Sequence, residues 1–143
     1  MTWGEIQKIS LEKMFAKDEP IELADIEDYK DDDDCSLYLS MMPAACNEAI
    51  ERIKPHVMQI YNYNEETKKY DKASVEHVTY ETKANYEIEL PEDACVLIPL
   101  YIASQLYKDD DISQATAYRN EFEAGLNDLD YNLENQEFVK EVF

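Results

Sequence analysis

Residues 91–111, PEDACVLIPLYIASQLYKDDD, carry the reading on which the architecture turns. Pro91 suits the first turn of a helix, and Glu92 and Asp93 complement the positive end of its dipole. Ala94, Leu97, Ile98, Tyr101, Ile102, Gln105 and Leu106 follow at helical spacing. The spacing predicts a central core helix, bent where Pro99 interrupts its hydrogen bonding. Asp109-Asp110-Asp111 stops it, and Asp111 with Gln114 has the spacing of an N-cap pair for a second helix. That helix carries Ile112, Ala115, Tyr118, Arg119, Phe122, Leu126 and Leu129. Two helices joined by a few Asp residues read as an antiparallel hairpin.

Upstream, the period changes to two. Val78, Tyr80 and Thr82, then Tyr86, Ile88 and Leu90, flank Lys83-Ala84-Asn85 and predict a β-hairpin over 75–90 with one apolar face. Residues 62–74, NYNEETKKYDKAS, are polar and read as a loop. Residues 36–61 carry Leu37, Tyr38, Met41, Met42, Ala45, Ala49, Ile50, Ile53, Val57, Met58 and Tyr61 at helical period, broken or kinked near Pro43 and Pro55. Residues 18–34 set ten acids against Lys30, a density that favours an exposed acidic loop; its last four, Asp31 to Asp34, also suit the start of the helix that follows. Residues 2–16 predict an amphipathic helix opened by a Thr2–Glu5 capping box, with Ile6, Ile9, Met14 and Phe15 on its apolar side and Leu11 less well placed. The end of the chain, 130–143, is not convincingly periodic, yet it holds Leu133, Phe138, Val139, Val142 and Phe143. Apolar residues there need a docking surface, either a neighbouring subunit or the chain's own core. The expected fold is mainly α. It is a single domain over 1–143, a small helical bundle of about four to five helices with a β-hairpin and an extended C-terminal tail.

Composition narrows function. With 33 acidic against 13 basic residues, the formal charge is −20, which disfavours DNA, RNA and anionic membranes as tightly bound partners. Two glycines leave no glycine-rich phosphate cradle. No stretch is apolar enough to span a membrane, and Met1-Thr2-Trp3-Gly4-Glu5 lacks the basic and apolar regions of a signal peptide. Cys35, Cys46 and Cys95 are widely spaced and read as reduced structural thiols. His56 and His77 stand alone, and no Asp run has the positions of a calcium loop, so no metal site is expected. Neither a catalytic constellation nor a cofactor motif emerges, and the expectation is that the chain is not an enzyme. Among 11 tyrosines, Tyr80, Tyr86, Tyr101 and Tyr118 are expected to pack between hairpin and helices, whereas Tyr61, Tyr63 and Tyr70 are expected to face a partner. The acidic surface is assigned to Asp31, Asp32, Asp33, Asp34, Asp109, Asp110 and Asp111.

The stretch from Glu87-Ile88-Glu89-Leu90 through Asp109-Asp110-Asp111, with Ala115, Arg119, Asn120, Glu121, Phe122 and Glu123 beyond it, resembles head–tail connector (adaptor) proteins of long-tailed bacteriophages and prophages. Thr2-Trp3-Gly4-Glu5-Ile6 and Cys46-Asn47-Glu48-Ala49-Ile50-Glu51-Arg52-Ile53 look like the first two helices of that family. The resemblance implies a ring, typically twelvefold, between the portal and the downstream neck or stopper protein. It would sit in the virion at the capsid vertex, after assembly in the bacterial cytoplasm, and DNA would pass through without tight binding. A ring of such acidic copies needs apolar contacts between subunits, with screening over about 8 Å blunting the repulsion. Leu133, Phe138, Val139, Val142 and Phe143, with the exposed tyrosines, are the expected contact residues. The competing expectation is an acidic protein that mimics DNA, or another small acidic interaction protein; clustering of the acids in loops and helix starts argues against the mimic.

Overall fold

The computed structural model describes residues 1–14, 33–57, 61–64, 66, 69–72 and 75–142, with side chains described for 1–14, 36–57, 66 and 75–130. Most of the 18–34 segment, including Asp31 and Asp32, lies outside the described residues, as does Phe143. The architecture is mainly helical. Helix α1 spans Trp3–Met14 and α2 spans Asp33–Ile53, continued by a 3₁₀ turn at Lys54–His56. Short α3 (Glu92–Cys95), α4 (Ile98–Leu106) and long α5 (Ile112–Val142) follow.

Helix α4 is the hub, packed against α1, α2 and α5. Its own sequence explains this: Ile98, Pro99, Tyr101, Ile102, Ala103, Ser104 and Leu106 are all buried, so nearly every side of it faces protein. The anticipated bent helix over 91–106 is two helices instead. Pro99 has no N–H to donate to Cys95 O, and its ring crowds that carbonyl, so α3 ends at Cys95 and Pro99 lies in the first turn of α4. By contrast α2 is unbroken at Pro43, where a stripe of Leu39, Met42, Cys46, Ala49, Ile50 and Ile53 is buried along its length. At Pro55 the helix does change, to the 3₁₀ turn.

The α4–α5 pair forms the antiparallel hairpin anticipated above. Tyr107 stacks on Tyr118 with ring centroids 6.0 Å apart, and Tyr101 meets Phe122 edge-on at 5.0 Å. Farther back, Leu97 fills the space over Gly125. Residue numbers fall on one side as they rise on the other. Asp111 Oδ1 accepts the N–H groups of Ser113 and Gln114, at 3.1 and 3.2 Å, and so caps α5 as its spacing predicts.

At the N-terminus, Thr2 Oγ1 accepts the Glu5 N–H at 3.1 Å, one half of the anticipated capping box. The next free donors of α1 go elsewhere: Trp3 N–H to Tyr86 O and Gly4 N–H to Ala84 O, both 2.8 Å. The buried stripe of α1 is Trp3, Ile6, Gln7, Ser10 and Leu11, rotated from the expected Ile6–Ile9–Met14 side, and Leu11 is fully buried. Ser10 is accommodated there because its hydroxyl donates to Ile6 O at 2.7 Å.

Residues 75–90 are not the β-hairpin their alternation predicts. Val78 and Ile88 are buried as expected, but the backbone between them turns twice, at Thr79–Thr82 and at Lys83–Tyr86. Several of its backbone groups find partners outside any hairpin. Asn47 Nδ2 donates to Val78 O and its Oδ1 accepts the Val78 N–H, both at 2.9 Å, while Ile88 N–H donates to Met1 O and Thr2 bridges Glu87. Within the stretch read as a polar loop, β1 (Tyr61–Asn64) pairs antiparallel with β2 (Lys69–Lys72), placing Tyr63 opposite Tyr70 and Tyr61 opposite Lys72. The C-terminal tail is likewise not extended: residues 130–142 continue α5. No glycine or proline follows Gly125, so nothing in the sequence stops the helix.

Candidate interaction surface

Helices α2, α4 and α5 together build one face. Where α4 ends and α5 begins, an open groove of about 630 Å³ is lined by Gln105, Lys108, Ile112, Thr116, Arg119 and Asn120, among others. A second hollow of about 250 Å³ lies between α2 and α4, with Met41, Ala44, Glu48 and Leu106 in its walls. Gln105 lines both, so the two are adjacent. Large apolar side chains stand exposed around them: Ile112 is 74% accessible, Leu37 62% and Met41 44%. Leu37 and Met41 are one helical turn apart and form a ridge on α2. Their spacing suits the apolar period of α2, but the helix turns its Leu39–Met42–Cys46 stripe inward instead.

A polar and aromatic cluster fixes the wall beside the groove. Both arginines of the chain meet at the Glu123 carboxylate: Arg52 Nη2 hydrogen-bonds Oε1, and Arg119 Nε lies 3.6 Å from the same atom. The Arg119 guanidinium also sits 4.7 Å over the Tyr101 ring, and that of Arg52 is 5.8 Å from the Phe122 centroid. Tyr101 Oη donates to Glu48 Oε2 at 3.0 Å. The cluster thus ties α2, α4 and α5 together. Lys108 differs from the arginines, being exposed and holding no ion pair among the described residues.

The residues singled out from sequence are dispersed. Asp109, Asp110 and Asp111 are exposed in the α4–α5 turn, Asp109 beside Lys108 in the groove, while Asp111 is occupied as the α5 cap. Asp33 and Asp34 open α2. Leu133, Phe138, Val139 and Val142 lie along the final turns of α5, and Tyr61, Tyr63 and Tyr70 on the β1–β2 ladder. Of the tyrosines expected to pack inside, Tyr101 is buried and Tyr86 packs against the core, but Tyr80 is 43% exposed in the turn at Thr79–Thr82.

Among the described residues, the titrating groups that depart from their usual values are structural. Burial pushes the Cys46 thiol up to about 12 and the Cys95 thiol to about 11, leaving both protonated. His56 Nδ1 lies 2.8 Å from Asp130 Oδ1 and His77 Nε2 lies 3.0 Å from Glu51 Oε1. Hydrogen bonds from Lys54 and His77 hold the Glu51 carboxyl below its ordinary range. Among the described residues, no three His, Cys, Asp or Glu side chains converge as metal ligands, and no helix is long and apolar enough to cross a membrane. Compared with protein-family models, curated proteins and solved structures, the chain matches none.

Proposed function

We propose that the chain is a structural subunit of a bacteriophage neck. It assembles as a ring between the portal and the downstream neck or stopper protein, at the capsid vertex, and extends an acidic channel. A conduit must let a polyanion pass without gripping it, and walls of carboxylate supply that property. The role needs no catalytic step, metal or cofactor. Subunits of this kind work by fitting against other proteins, and the resemblance of residues 87–123 to head–tail connectors supports the portal and the neck or stopper protein as those partners.

The observation that carries the reading is the mismatch between α5 and its partner. Helix α5 has 31 residues, about 46 Å, against nine residues, about 14 Å, in α4. Its final turns hold the apolar residues Leu133, Phe138, Val139 and Val142, and among the described side chains Leu37, Met41 and Ile112 are exposed. Apolar residues distributed in this way are suited to contacts between chains. The test is the mass of the full chain in solution, measured alone and after adding an isolated portal ring. A complex of defined ring stoichiometry is the expected result. A chain that ignores the portal, or that binds duplex DNA tightly at ordinary salt, overturns the proposal.

A further inference from the structure

The groove between α4 and α5 stands out in a chain of charge −20, because Lys108 and Arg119 flank an apolar floor at Ile112 and Ala115. Asp109 is the one acid in its wall, and Arg119 is shared with Glu123, which leaves Lys108 as the cation without an ion pair among the described residues. Ile112, Ala115, Thr116 and Arg119 fall at i, i+3, i+4 and i+7, one stripe of α5 on which Ile112 and Thr116 are exposed and Ala115 and Arg119 half-buried beside α4. Apolar residues beside a carboxylate for Lys108 complement such a groove. The end of α5 has this composition. Helical spacing places Phe138, Val139 and Val142 along one stripe and Glu134, Glu137 and Glu141 along the adjacent one. We infer that the groove receives the C-terminal turns of α5 from a second copy of the chain, joining copies head to tail.

The backbone excludes the intramolecular alternative. Helix α5 is continuous from Ile112 to Val142, so its residues 133–142 lie about 26 to 39 Å along the axis from Thr116. A chain cannot seat this segment in its own groove without breaking the helix; a neighbour can. The groove and the helix end are different surfaces, so each copy offers one of each and the contact is heterologous. Such contacts close into rings when the rotation between copies permits. The inference rests on the ring reading above and names the surfaces that meet.

Two variants of the full chain test it. Lys108→Glu combined with Ile112→Asp closes the groove to an acidic helix. Both sites are exposed, and an acid at the first position of α5 favours the helix, so folding is kept. Phe138→Asp combined with Val142→Asp spoils the inserted end. Sedimentation of the wild type at rising concentration should show species larger than dimers. Each variant alone should self-associate at least about tenfold more weakly. Mixed in equal amounts, the two should form a dimer and nothing larger, because only one intact groove and one intact helix end remain to meet. A wild type that stays monomeric, a groove variant that assembles like the wild type, or a mixture that remains monomeric each overturns the inference. Rings that still form on a portal from the groove variant would remove the groove assignment and leave the ring reading standing.

Discussion

Gly125 lies where α5 passes the turn between α3 and α4. A Cβ built there would meet Leu97, at 3.2 Å from Cδ1 and 3.3 Å from Cγ, and closer still to Cδ2. Replacing glycine by alanine within a helix gains about 1 kcal/mol of propensity, but crowding a packed side chain costs about 1–3 kcal/mol. Leu97 is buried and has little room to swing, so crowding should win. We expect Gly125→Ala to lower stability to urea by about 1 kcal/mol, and to cost less in a Leu97→Ala background. A gain in stability for the single variant would show that Leu97 moves aside freely. Asn47 makes a second argument at this scale, as the bidentate partner of Val78. Asn47→Ala leaves both Val78 backbone groups unpaired and should destabilise by about 1–3 kcal/mol. Asn47→Asp keeps the acceptor and should lose less. Equal unfolding midpoints for wild type and the Ala variant would mean that water replaces the amide at no cost.

Elements were legible in proportion to how local their causes are. The α4–α5 hairpin could be read because its signals, an Asp cap, a helical apolar period and a short acidic link, all act within a few residues. Residues 75–90 could not, because their alternation is matched not by a second strand but by an α2 amide and the first residues of the chain, contacts 31 and more positions away in sequence. The inward face of α2 was ambiguous for a related reason. Leu37–Met41 and Leu39–Met42–Cys46 are both apolar series at helical spacing, and tertiary packing, chiefly on α4, decides between them. The same ambiguity leaves Leu37 and Met41 unreadable as surface residues, and the groove is not legible because Lys108 and Arg119 are eleven positions apart and line it together only once the α4–α5 turn has formed. At the end of α5 the same logic yields a prediction. The last described buried side chain is Leu129, and Asp130 pairs with His56. Removing residues 133–143 should shift the monomer's thermal midpoint by less than about 4 °C, the equivalent of roughly 1 kcal/mol, while abolishing assembly. A larger fall in the midpoint would assign the segment to its own core.

For the whole molecule, the described groups that titrate away from their ordinary values move one way, the exposed Glu51 apart. At the amino terminus burial opposes the charge, but hydrogen bonds to Glu92 and Glu87 outweigh it and raise the Met1 amine from 8.0 to about 10. Burial raises the thiols of Cys46 and Cys95 from 9.0 to about 12 and about 11, and holds the hydroxyls of Tyr86 and Tyr107 above their usual range. In each case the folded chain keeps its proton to higher pH than the unfolded chain does. The associated stability is complete below the unfolded values and drains away as pH climbs through the folded ones. The thermal midpoint should therefore hold near neutrality and decline from about pH 8 onward, first through the amine and then through the thiols. Added salt should not restore it fully, because desolvation of buried thiols is insensitive to screening, whereas repulsion among surface carboxylates is not. Reaction of Cys46 and Cys95 with an alkylating reagent supplies an independent reading, since a protonated thiol is a poor nucleophile. Both should stay unmodified in the folded chain at pH 8 and react together once urea unfolds it. Prompt alkylation of either in the native protein, or a midpoint unchanged up to pH 10, would show that burial around α4 is looser than the packing of α1, α2 and α5 against it requires.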